Sequence, residues 1–83
     1  MYAIKSVSED GIFYLCKNWN HQRMIWRRWV ELKKDVYKTE KGALCALTKL
    51  LKIIDEYKSD IFYLCEIDPV TYEVREKYQI SVN

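Results

Sequence analysis

IFYLC occurs twice in this chain, letter for letter, as Ile12–Cys16 and again as Ile61–Cys65. In an extended strand alternate residues point to opposite faces, so Ile12, Tyr14 and Cys16 share one side and Phe13 and Leu15 the other. The second copy divides in the same way, into Ile61, Tyr63 and Cys65 against Phe62 and Leu64. Both sides of both strands are apolar, so each side needs a cover. In the second copy the Ile/Tyr/Cys side continues to Ile67, whereas the Phe/Leu side is bounded by Asp60 and Glu66. On that pattern the Ile/Tyr/Cys side is expected to lie under a helix. Phe13, Leu15, Phe62 and Leu64 are then left on the opposite face, covered by segment 17–37 or open to a partner. The flanks of the two copies do not match, SEDG before one and EYKSD before the other, so the recurrence reads as two separately placed strands and not as a duplicated unit.

Working outward, Tyr2 to Val7 alternates weakly and runs into Ser8-Glu9-Asp10-Gly11, turn chemistry that joins it to the first IFYLC as a hairpin. A polar loop from Lys17 to Arg23 follows. The next stretch, Met24 to Thr39, carries both helical periodicity and β-rich ends. It is read as a strand around Trp26 to Val30, a turn or short helical kink through Glu31 to Asp35, and an extended piece at Val36 to Lys38, with an amphipathic helix as the alternative. Thr39 is placed to cap a helix from Glu40 to Tyr57, in which Ala43, Leu44, Leu47, Leu50, Leu51 and Ile54 form one apolar face. After the second IFYLC, Asp68-Pro69 starts a turn and predicts a C-terminal hairpin through Tyr72, Val74, Tyr78 and Ile80. The expected fold is a single α+β domain, β-β-β-α-β-β, with four to five antiparallel strands and one helix on one face.

With 83 residues, of which 49% are apolar and 31% charged, the chain has the composition of one globular domain and not of a disordered one. Lys, Asp or Glu interrupts every apolar run, so no span of a bilayer is expected, and the start MYAIKSVSED lacks the order of a signal peptide. A cytosolic location is the expectation. Cys16, Cys45 and Cys65 are odd in number and lack CxxC spacing, which argues for reduced thiols and against a disulfide framework or a zinc knuckle. The net charge of +2 is uneven: residues 17–41 hold eight Lys or Arg against three acids.

No residue pattern points to catalysis. The single histidine, His21, lies in the polar loop without a nucleophile at a telling spacing, and the turn acids Glu9, Asp10, Asp60 and Asp68 suit backbone hydrogen bonds. Gly11 and Gly42 are the only glycines, which leaves no phosphate-cradling loop, and no metal or cofactor is expected. The sharpest local feature is Trp26-Arg27-Arg28-Trp29, with Arg23 before it and Lys33 and Lys34 after it. Trp and Arg are common anchors of protein interfaces. Trp19, Trp26, Arg27, Arg28 and Trp29, aided by Phe13, Leu15, Phe62 and Leu64, are therefore the candidate partner-binding residues. Basic and aromatic groups so interleaved also suit nucleic acid, through Arg23, Arg27, Arg28, Lys33 and Lys34. A homodimer joined through the open face is a third possibility.

The start YAIKS, a hairpin ending in a Trp-containing loop, and VYKT (Val36 to Thr39) running into EKGALCAL (Glu40 to Leu47) resemble small accessory proteins of Gram-positive phages and mobile elements. The likeness lies in the order of strands and helix along most of the chain, with no catalytic motif. It implies a non-enzymatic protein that binds a host protein, such as a defence nuclease, and inhibits or redirects it, anti-CRISPR inhibitors being one instance. The basic middle of this chain departs from the acidic inhibitors that mimic DNA.

Overall fold

A computed structural model of the chain describes residues 1–17, 25–32, 35–53 and 61–81. Its elements are β1 (Tyr2–Ser8), β2 (Gly11–Leu15), β3 (Trp26–Arg27), α1 (Trp29–Leu32), α2 (Glu40–Ile53), β4 (Ile61–Ile67) and β5 (Val74–Ile80). The strands form one antiparallel sheet in the order β3-β2-β1-β4-β5. The first hairpin turns through Glu9-Asp10 into Gly11, which holds a φ of 123°, a region that a Cβ makes costly. At the other hairpin the Asp68 carboxylate accepts the amides of Val70 (2.8 Å) and Thr71 (3.0 Å), as the Asp-Pro pair predicts. Those two amides hold the Asp68 carboxyl below its usual pKa.

α2 starts where expected. Thr39 Oγ1 accepts the Gly42 amide at 3.0 Å, Glu40 stands in the first turn, and the buried face is Ala43, Leu47, Leu50 and Leu51. The expected continuation from Ile54 to Tyr57 lies outside the described residues. Removing the cap by Thr39→Ala should lower stability by about 1 kcal/mol, read as a shift in the urea midpoint with an unchanged slope.

The stretch before α2 differs from its expected form. The strand is only Trp26–Arg27, and the chain turns helical at Trp29, so the expected strand through Val30 is replaced by α1. The extended piece is present as a bridge in which Tyr37 and Tyr2 exchange backbone hydrogen bonds of 2.7 and 2.8 Å. The helical period of the Trp29–Leu32 segment wins locally because it turns Leu32 and Trp29 onto the sheet.

The face assignment is also corrected. α2 covers the Phe/Leu side: Leu15, Phe62 and Leu64 are completely buried with Ile4 against Leu47, Leu50 and Leu51. The reason sits in the central strand. β1 places Tyr2, Ile4 and Ser6 on the Phe/Leu side, but Lys5 on the other, directly between Tyr14 and Tyr63. A long helix laid there would strip water from an ammonium group in the middle of the sheet. Among the described residues the opposite face is instead covered at one end, where Leu32 and Val36 pack on Ala3, Cys16, Cys65 and Ile67, and Trp29 meets Tyr14 at 5.1 Å between ring centroids.

A β-bulge between Leu64 and Cys65 sets the charges of β5. It pairs Cys65 with Glu76, so that Glu76 joins the Lys5 face and Lys77 turns to the α2 side. Regular pairing would have set Glu76 opposite Glu66. With the bulge, Lys5 donates to Glu76, while Lys77 donates to Glu40 at 2.8 Å and lies 3.6 Å from Glu66. Arg75, Glu76 and Lys77 along the outer edge of β5 discourage another strand from adding there.

Candidate contact site on the open half of the sheet

The face opposite α2 is divided by the row Arg27–Tyr14–Lys5–Tyr63, in register across β3, β2, β1 and β4. On one side of this row lies the part covered by α1. On the other side the next row is Ile12–Val7–Ile61, three β-branched residues directly opposite one another on neighbouring strands. Ile12 is 53% exposed and Ile61 45%, with Val7 half-buried between them. The half-buried Tyr63 ring borders the row, and the Lys5 ammonium lies 5.0 Å from its centroid. Burial works against the charge on Lys5, but the hydrogen bond and charge of Glu76 more than offset it and raise its pKa. Lys5 is therefore neutralised in place. Arg27, exposed at the β3 edge, supplies a cation at the rim.

This arrangement sorts the candidate residues differently from their sequence pattern. Leu15, Phe62 and Leu64 are core and cannot touch a partner, and Phe13 is half-buried on the α2 side. Trp26 is half-buried and stacks on Phe62, with centroids 5.9 Å apart and planes at 18°, while Trp29 packs on Tyr14. In the WRRW segment the rings thus turn inward and Arg27 and Arg28 remain exposed. Trp19, Arg23, Lys33 and Lys34 lie outside the described residues, as does His21. Ile12 and Ile61 were expected under the helix and not at a contact surface, and Val7 was not a candidate. The signal was present in Lys5: once β1 is central, its lysine marks the face that no long helix covers, and Val7 beside it marks the open end.

Beyond the exposed thiol of Cys45, little else on the described surface has reactive form. Cys16 and Cys65 are buried, and burial raises both thiols, that of Cys65 to about 11. Tyr37 is buried with its hydroxyl donating to the Cys16 carbonyl at 3.1 Å, and burial raises its pKa strongly. Among the described residues no group of three or more His, Cys, Asp or Glu is placed to hold a metal ion, and no helix is long and apolar enough to cross a membrane. A cleft beside the second hairpin is lined by Tyr2, Glu66, Asp68, Glu73 and Arg75, but the Asp68 carboxylate is already engaged by its own turn.

Comparison of the chain with models of protein families, with curated proteins and with solved structures gave no match.

Proposed function

We propose that this chain is a non-enzymatic binding module that acts by contact with another protein through the open half of its sheet. The observation that supports this most is the Ile12–Val7–Ile61 row, an exposed aliphatic strip in register on three adjacent strands. Apolar patches of this kind on small domains mark interaction surfaces, and a strip with Tyr63 beside it and Arg27 at its rim has the composition of an interface centre. Following the resemblance of the sequence to phage accessory proteins, the partner is a host protein such as a defence nuclease, which the module inhibits or redirects.

The strip alone is smaller than the roughly 800 Å² per partner of a standard interface. The contact must therefore extend over the rim, to the exposed Arg27 and Arg28 and the Glu9-Asp10 turn. The test is affinity capture of host proteins with the wild-type chain and with an Ile12→Glu/Ile61→Glu variant whose fold is checked by circular dichroism. The expected result is one partner bound in fixed proportion by the wild type, with a loss of at least about 2 kcal/mol in the variant. Retention of the partner by the variant would remove this surface from the interface. A wild-type chain that runs as a dimer by light scattering, and as a monomer once both residues are replaced, would assign the strip to self-association.

A further inference from the structure

We infer that the outward side of α2 is a second contact surface, one that takes the phosphate backbone of double-stranded nucleic acid. It lies on the opposite side of the molecule from the aliphatic strip and goes beyond the proposed protein contact. Lys41, Lys49 and Lys52 are exposed on this helix, with Cys45 and Thr48 between them, and together with Glu40 and Leu44 they line one shallow groove. At 100° per residue the three lysines fall within about 80° of arc, on the side opposite the buried Ala43, Leu47 and Leu50. Along the axis, Lys41 and Lys52 are separated by about 16 Å, enough to follow several phosphates of one strand. Lys38, also exposed, stands just before the cap.

Two further observations select the occupant. The acid of the described helix is Glu40, which borders the same groove, and Lys77 holds it at 2.8 Å, so its carboxylate is already paired. The side is also poor in what a protein partner grips. Protein interface centres are depleted in lysine and enriched in aromatic residues and arginine, whereas this pole offers lysine, one small thiol, the half-buried Leu44 and a threonine whose hydroxyl donates to the Leu44 carbonyl at 2.9 Å. The exposed Ile53 lies about 40° beyond Lys49, at the edge of the stripe. Among the described residues no aromatic ring lines the groove to stack an unpaired base, which favours a duplex met through its phosphates over a single strand. Such a contact reads no sequence and is weak by itself. It suits a module that also holds a protein, because the second contact then acts at a high effective concentration.

The experiment is an amide NMR titration of the whole chain with a mixed-sequence DNA duplex, the same duplex as RNA, and a polyglutamate peptide. Shifts concentrated between Lys41 and Lys52 with either duplex support the inference, provided that affinity falls with salt at a log-log slope of about −2.7, as three phosphate contacts require. The variant Lys41→Gln/Lys49→Gln/Lys52→Gln keeps good helix formers and should lose these shifts, while Ile61→Glu should keep them whatever becomes of the protein partner. Three results would overturn it: no shifts at about 50 mM salt, shifts centred on Arg27 and Arg28, or polyglutamate binding at least as strongly as the duplexes.

Discussion

Phe62→Ala is expected to cost about 3–5 kcal/mol, while Ile61→Thr, one residue earlier in the same strand, should change stability by less than about 1 kcal/mol. Phe62 is completely buried, packed among Ile4, Leu15, Leu64 and the leucines of α2 and stacked on Trp26, so truncation loses apolar burial and leaves a cavity at the centre of the main core. Ile61 is 45% exposed and threonine keeps its β-branch. At about 0.05–0.15 kcal/mol per residue, the whole stability of a chain this size is of the same order as the Phe62 loss, so Phe62→Ala should be largely unfolded at moderate temperature. Urea titration of both variants followed by circular dichroism decides it. A greater loss at position 61 than at 62 would mean that α2 covers the other face of the sheet.

The second large effect is alkaline destabilisation centred on Cys65. Burial raises this thiol from its ordinary 9.0 to about 11, with Lys5 lowering it and Glu76 raising it by smaller amounts. A raised folded-state pKa means that the unfolded thiol loses its proton first. The stabilisation is therefore fully present below pH 9 and is lost as pH rises through the folded value of about 11. Cys65 alone accounts for roughly 2–3 kcal/mol over that window. Burial also raises Cys16, Tyr14 and Tyr37, which steepens the loss in the same direction. Unfolding free energies from urea at about pH 8 and at about pH 10.5 should show the decline, and Cys65→Ala, which removes one titrating group, should make it shallower. A decline equally steep in Cys65→Ala would place its origin elsewhere.

The first prediction turns on which side of IFYLC faces α2, and there the sequence pattern misled. Judged strand by strand, the run from Ile61 to Ile67 looked better suited to the helix than a side bounded by Asp60 and Glu66. The decisive residue lay in a different strand. Lys5 of β1 shares a face with Tyr14 and Tyr63 only because β1 pairs with both IFYLC strands, and that pairing is a long-range fact that no local window contains. The tryptophans misled for a similar reason. WRRW reads as a contact surface in isolation, but Trp26 pairs with Leu15, which points its ring at Phe62, and α1 turns Trp29 onto Tyr14. What remained legible at that segment was its pair of exposed arginines.

The elements whose causes are local were determined by the sequence itself. Thr39 caps α2, a 3.6-residue period selects Ala43, Leu47, Leu50 and Leu51, the Gly11 turn makes the first hairpin, and Asp68-Pro69 opens the second. Each of these depends on residues within a few positions of one another, so the chain states them directly. Only the tertiary structure decided the strand order, the partition of two apolar faces between a long helix and a short one, and the bulge that exchanges the faces of Glu76 and Lys77. The partition of the faces follows from the desolvation cost of one lysine in a central strand. Its surroundings exist only once β2 and β4 have closed on either side of it.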